Sequence, residues 1–188
     1  CSYNRSEARF EVFNLNAGGE PYRYLSTLAE DLKNQNQNLL FAMNAGMYRS
    51  DYSAVGLYIE ASQQKQKLNT VKQGFGNFHI QPNGVLAWNQ NKSIITTTDD
   101  YSKLKFNPDY ATQSGPMLVI NEKINPNFLE RSDSFKIRNG VGIKDQTLYF
   151  VISNTAVSFY QFAQFFQQQL KVQNALYLDG LISSAYIS

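Results

Sequence analysis

Asp179 stands where a chain readily presents a carboxylate for chemistry. It follows Ala175, Leu176 and Leu178, which read as a short buried strand, and it precedes Gly180, Ser183 and Ser184. Gly180 permits a sharp turn at the strand's carboxyl end, because glycine takes a positive φ at no steric cost. A carboxylate, a turn and two hydroxyls on a loop held by a rigid sheet make a workable site. The plainer account is a common Asp-Gly turn capped by two serines.

The same pattern recurs along the chain. Residues 39–43 are apolar and read as a strand that runs into Asn44-Ala45-Gly46. Asn44 either closes a turn on its own backbone or bonds a ligand hydroxyl. A strand expected at 55–59 ends at Glu60, and one at 147–153 ends at Asn154. Gln113-Ser114-Gly115-Pro116 precedes an apolar strand at 117–120. Arg131, Lys136 and Arg138 are the only close set of cations, just ahead of Asn139-Gly140-Val141-Gly142. They form either a solvated loop or an anion site, since Arg offers fork-shaped donors suited to phosphate. His79 is the only histidine and reads as structural. A lone histidine with no cysteine partner argues against zinc, and no metal or other cofactor is expected.

Local pattern supplies the elements that would hold these residues. Residues 8–16 read as a strand, followed by a turn at Ala17-Gly18-Gly19. Leu25, Leu28, Ala29 and Leu32 share a helical face, which predicts a helix over 22–33. Residues 62–68 read as a polar hairpin loop. Residues 75–80 read as a strand leading into the turn Pro82-Asn83-Gly84, with return strands at 85–88 and 93–98. Residues 101–110 read as irregular. Ser158 and Gln161 fit a helix capping box, and Phe159, Phe162, Ala163, Phe166 and Leu170 fall on one face. That spacing predicts a helix over 158–170 with an aromatic core stripe.

Length and composition bound the class. At 188 residues the chain fits one domain with a sizeable core. Many short strands and two helices predict an α+β fold, mostly antiparallel sheet packed against helices. Charged residues make up 17% of the chain, below the usual ~25%, so neutral polar groups carry much of the surface. A net charge of +2 with no basic cluster gives no footprint for nucleic acid. No apolar run approaches the ~20 residues of a membrane span. The single cysteine, Cys1, excludes an intrachain disulfide. It marks either a chain boundary or the acylated first residue of a mature bacterial lipoprotein, the only expected route to a membrane. Residues 1–7 would then be a tether and 8–188 the domain. The sequence carries no signal of oligomeric state.

Several segments together resemble the phosphodiester glycosidase domain family, most closely its bacterial, extracytoplasmic members. They are Asn44-Ala45-Gly46-Met47, Val55-Gly56-Leu57-Tyr58, Gly76-Asn77-Phe78, Pro82-Asn83-Gly84-Val85, Gln113-Ser114-Gly115-Pro116-Met117-Leu118, Arg138-Asn139-Gly140-Val141-Gly142 and Asn174 to Ser184. The likeness covers roughly residues 39–186. Two departures stand out. The uncovering-enzyme branch resembles Asp-Gly-Gly-Gly-Ser-Ser at the last motif, whereas Leu181 and Ile182 follow Gly180 here. Its first motif resembles Asn-Gly-Gly, whereas Ala45 intervenes here. Bulkier residues at both places imply a narrower sugar pocket.

The resemblance implies hydrolysis of a sugar 1-phosphodiester, with envelope or extracellular glycans as the substrate and a periplasmic or secreted location. A phosphate monoester is a good leaving group and needs little help from a general acid. It does need donors or cations for the developing negative charge, a role that falls to Arg138. An oxocarbenium-like sugar needs a carboxylate as nucleophile or base: Asp179 first, Glu60 second. Asn44, Gln113, Asn139 and Asn154 would orient sugar hydroxyls, with Ser183 and Ser184 on phosphate or substrate. Gly46, Ser114, Gly115 and Gly180 would line the substrate within the matched motifs. Two other classes remain open. One is a non-catalytic carbohydrate-binding or envelope-assembly lipoprotein of the same fold, since fold does not fix function. The other is a phosphodiesterase that cleaves the phosphorus–oxygen bond, which would usually need a metal cluster.

Overall fold

The computed structural model describes residues 1–3, 9–180 and 184–188. In chain order the strands are β1 (Ser2–Tyr3), β2 (Phe41–Met43), β3 (Tyr58–Glu60), β4 (Gln63–Gln66), β5 (Gly84–Trp88), β6 (Ser93–Thr97), β7 (Tyr110–Ser114), β8 (Met117–Ile120), β9 (Lys123–Ile124), β10 (Asn139–Lys144), β11 (Thr147–Ile152), β12 (Asn174–Tyr177) and β13 (Ala185–Ile187). The helices are α1 (Leu25–Asn34), α2 (Thr98–Tyr101) and α3 (Phe159–Gln164), with a 3-10 turn at Asn77–His79. One sheet has the order β1-β11-β10-β12-β8-β9, the second β4-β3-β7-β5-β6, and β13 pairs with β2 as a separate ribbon. Every pairing is antiparallel. The chain is thus a single α+β domain.

Alternation along the strands builds the layers. Leu86, Trp88 and Ile95 of the second sheet meet Met117, Val141, Ile143, Leu148, Phe150, Leu176 and Leu178 of the first sheet. The opposite face of the first sheet presents Leu118, Ala175 and Tyr177 to Phe162, Ala163 and Phe166. Gly140 and Gly142 alternate with Val141 and Ile143, so α3 lies against bare backbone. A Cβ on Gly142 would come within 2.8 Å of both Phe166 Cδ1 and Val172 Cγ1. The outer face of the second sheet carries Leu57, Ile59, Val85, Ala87 and Ala111, covered by Leu68, Ile94, Tyr101 and Phe106.

The capping box at Ser158 forms as its sequence predicts. Ser158 Oγ accepts from Gln161 N at 3.1 Å, and Gln161 Oε1 accepts from Ser158 N at 3.0 Å. The helix does not stay α-helical through residue 170: a π turn occupies Phe165–Gln169, with Leu170 N bonded to Phe165 O. Phe166 nevertheless remains fully buried in the core.

Several local expectations are corrected. Residues 9–16 form no strand; Leu15 makes one bridge to Pro21, and Phe10 and Val12 pack side-on against the core. The first helix starts at Leu25, because Tyr22 N is held by Asn14 O and the Tyr22 hydroxyl by Asp31, which keeps the approach extended. Residues 75–80 turn instead of running as a strand, with Gly76 at φ 85°. The polar stretch expected as a loop at 62–68 contains β4, joined to β3 through Ala61 and Ser62, both at positive φ as a tight hairpin turn requires. The stretch read as irregular ends before Tyr110, which opens a central strand of the second sheet, β7. Ser2 and Tyr3, within the segment read as a tether, pair with Tyr149 and Leu148 at the sheet edge.

Candidate active site

The end of β12 meets the start of β10 and the exit of β2, and one amide ties the three together. Tyr177 lies opposite Gly140, and Leu178 N donates to Asn139 O at 3.1 Å. Asn44 Nδ2 donates to the Asp179 backbone carbonyl at 2.6 Å. Asn44 Oδ1 accepts from Asn139 Nδ2 and from Ser184 N, each at 3.0 Å. All three hydrogen-bonding positions so engaged come from the side chain of Asn44, which leaves that amide rigid. It brackets Asp179 between two segments far away in sequence.

The Asp179 side chain is half-buried. Its charge is felt by two phenols. Burial raises the Tyr48 pKa, and Asp179 and then Tyr52 raise it further. Burial also raises that of Tyr177, with Asp179 adding to the rise while Gly180 N–H and Arg138 oppose it. The Tyr177 hydroxyl accepts from Gly180 N at 3.0 Å, which fixes the turn after Asp179.

Arg138 lies beneath this site, only 1% exposed. Its Nε donates to Val157 O and its Nη2 to Ser134 O, each at 2.9 Å, and its guanidinium stacks on Phe159. Burial lowers its pKa, and Tyr177 partly restores it. The resemblance implies a phosphate for this fork; its described hydrogen bonds go to the backbone carbonyls of Val157 and Ser134.

Gln113 is equally committed. Its Oε1 accepts from Leu57 N at 2.8 Å and Asn69 N at 2.9 Å, and its Nε2 donates to Asn69 O at 2.7 Å and Thr98 Oγ1 at 3.0 Å. All four positions of the amide are filled, so this side chain clamps a loop to the second sheet. Glu60 is held outside the Asn44 cluster. It accepts from the Tyr58 hydroxyl at 2.6 Å, and its charge acts on Tyr22.

The remaining expected residues separate into two groups. Gly46 N donates to Thr112 Oγ1 at 3.2 Å beside Asn44, and Gly180 and Ser184 belong to the Asn44 cluster. Ser114 and Gly115 are buried where β7 leads into β8, alongside Tyr177, whose N donates to Pro116 O. Asn154 is exposed beyond β11. Ser183 lies outside the described residues. Two buried oxygens in these segments, Asn139 Oδ1 and Ser114 Oγ, have no hydrogen-bond partner among the described residues. Buried polar atoms are nearly always paired, so such pairs of orphans mark a place of function or strain. Tyr48 and Tyr177 escaped sequence reasoning. Tyr48 follows Gly46 by two residues, a spacing that could have flagged it.

Asn44, Gly46, Tyr48, Thr112 and Ser184 line one cavity of about 1110 Å³. Among the described residues no group of three His, Cys, Asp or Glu side chains is placed to hold a metal. His79 lies apart in its 3-10 turn, edge-on to Phe78.

This layered fold and the motif-bearing rim define a class. The chain belongs to the phosphodiester glycosidase family, whose model matches residues 37–188. It is 41% identical over 185 residues to the uncharacterized protein YigE of Escherichia coli K12, covering 98% of this chain and 72% of that protein. It also resembles the catalytic domain of zebrafish N-acetylglucosamine-1-phosphodiester alpha-N-acetylglucosaminidase, auto-inhibited by its pro-peptide, with a TM-score of 0.55 at 17% identity. That match covers 79% of this chain and 53% of the zebrafish structure, so the chain spans about half of it, and the likeness is one of fold. Family membership supports a hydrolase-like function.

Proposed function

We propose that this protein hydrolyses the glycosidic bond of a sugar 1-phosphodiester in envelope or extracellular glycans. The observation that carries the reading is the Asn44 amide, which lines a cavity together with Ser184 and bonds the Asp179 carbonyl and Asn139 next to it. An amide that fixes the backbone of a half-exposed Asp179 supplies preorganisation of the kind an oxocarbenium-like transition state needs. Asp179 serves there as nucleophile or as base for water. Its partners in this reading are Ser184, Gly46 and Tyr48 at the cavity wall.

Arg138 contributes in this reading without touching substrate. Its described partners are the neutral groups Val157 O, Ser134 O and Tyr177. A buried cation among neutral partners projects its field through a low dielectric, which favours the developing phosphate anion. It is therefore a positioning and electrostatic residue. Glu60 remains the second carboxylate, tested by the same experiment.

The test is hydrolysis of a panel of sugar 1-phosphodiesters in oxygen-18 water, followed by release of reducing sugar. Label in the sugar is expected, and label in the phosphate would establish phosphorus–oxygen cleavage instead. Asp179→Asn is expected to abolish turnover with an unchanged melting curve. Near wild-type turnover in that variant would transfer the role to Glu60. Glycan binding with no turnover across the panel would make the protein a carbohydrate-binding module.

A further inference from the structure

The cavity beside Asn44 is too large and too apolar for a sugar phosphate alone. Its volume, about 1110 Å³, exceeds the roughly 300–1,000 Å³ of ordinary small-molecule pockets. Beyond Asn44, Tyr48 and Ser184, its wall includes Phe10, Phe41, Leu86, Trp88, Phe150 and Leu178. These belong to or pack against the core between the two sheets. The same space therefore runs from the polar rim along the border of that core.

Several polar groups in that wall already have partners. Arg9 pairs with Glu11, Arg23 stacks over Tyr52, the Tyr22 hydroxyl bonds Asp31 and the Tyr58 hydroxyl bonds Glu60. Trp88 Nε1 is spent on Phe10 O at 2.9 Å. Beside Ser26, Gln37 and Asn38, the rest of the wall is largely apolar side chain. A wall of this kind gains dispersion contacts along its apolar side chains when an apolar chain lies against it.

We infer that this cavity holds a long hydrocarbon tail, the aglycone of an amphiphilic sugar 1-phosphodiester whose head sits at Asn44 and Ser184. The inference rests on the glycosidase reading above and names the substrate class: a sugar joined through phosphate to a lipid-like alcohol. The cavity orders the tail, and burial of its methylenes lowers KM as the chain lengthens.

Trp88 is the only tryptophan of the chain and lies in the cavity wall, so it reports occupancy without any turnover. The probe is dodecyl phosphate brominated at its chain end, used below its micelle concentration, with bromoethyl phosphate as the short control. Saturable quenching of Trp88 emission by the long probe and not by the short one is expected. Val12→Phe, which places a ring in the same cavity wall, is expected to weaken that quenching several-fold, with folding checked by its melting curve. No quenching of the wild type by the long probe, or equal quenching by both probes, overturns the inference. So does quenching unchanged in a folded Val12→Phe variant, which would indicate surface adsorption.

A second arm separates substrate tail from independent lipid. Ethyl and dodecyl esters of one sugar 1-phosphate are compared as substrates, and KM is expected to fall about tenfold or more for the longer ester. If ethyl and dodecyl esters turn over with equal KM, the glycosidase reading stands and the aglycone assignment is overturned. If the long probe quenches Trp88 yet no ester is hydrolysed, the glycosidase reading falls and the aglycone assignment falls with it.

Discussion

The guanidinium carbon of Arg138 sits 3.6 Å from the centre of the Phe159 ring, while Nε and Nη2 hold the carbonyls of Val157 and Ser134. One planar group thus fastens the start of α3 to the segment that leads into β10. Lysine keeps the charge but cannot make two bonds in that plane or stack in the same way. Arg138→Lys is expected to lower stability by about 2–4 kcal/mol, the sum of a desolvated cation–π contact and a charged hydrogen bond. Urea unfolding measures this. A midpoint equal to the wild type would show that the arginine is dispensable to the fold.

Gly142 lies under Phe166 with no room for a methyl group, since the added carbon would be 2.8 Å from Phe166 Cδ1. Gly142→Ala is expected to cost about 1–3 kcal/mol through overpacking. For a domain of this size that corresponds to a fall of roughly 2–4 °C in Tm for each kcal/mol. A melting temperature equal to that of the wild type would mean that the π turn after α3 does not rest on β10.

The contrast between these two positions shows what the sequence discloses. The apolar run into Asp179, the aromatic stripe from Phe159 to Phe166 and the capping box at Ser158 are local patterns, and each is legible in a window of a dozen residues. The convergence at Asn44 is not local. It depends on bonds to Asp179, Asn139 and Ser184 that span 135, 95 and 140 residues. Motif resemblance brought those residues together on paper, but it could not say which polar side chains face the cavity and which are spent on the backbone. Gln113 and Arg138 have the residue types of ligands for a sugar or a phosphate, yet burial assigns both to backbone partners. Residues 9–16 fail as a strand for a related reason. Phe10 and Val12 share a face but Phe13 breaks the alternation, Phe10 is used to cover Trp88, with ring centroids 4.3 Å apart, and among the described residues the segment makes only one bridge.

Gln113 gives a direct test of that distinction. Gln113→Leu would remove the acceptor for Leu57 N and Asn69 N in a site that is 1% exposed. Each buried donor left without a partner costs about 1–3 kcal/mol. The variant is expected to be destabilised, with the KM of its folded fraction unchanged because the side chain lies on the outward face of β7. A raised KM with wild-type stability would return Gln113 to the substrate.

Three phenols bonded to carboxylates set the alkaline limit of the fold. Tyr22 is pushed up to about 12 by burial and then by Asp31. Tyr110 is pushed up to about 12 by burial and then by Glu11. Tyr58 is raised by burial and then by Glu60. Each phenol has a folded pKa above its unfolded value of 10.0, so the unfolded chain loses these protons first as pH rises. The unfolded state then binds fewer protons, and stability falls with pH. The contribution of Tyr22 and Tyr110 is fully present below pH 10 and drains away between pH 10 and about 12, and that of Tyr58 persists to higher pH. The urea midpoint is therefore expected to decline through that window, and a Tyr22→Phe variant should show a shallower decline because one of the titrating groups is gone. Tyrosinate absorbance gives the independent check: these phenols should ionise only as the protein unfolds. Full ionisation of all tyrosines at pH 10 in the folded protein would remove the bonds to Asp31, Glu60 and Glu11 as a source of stability.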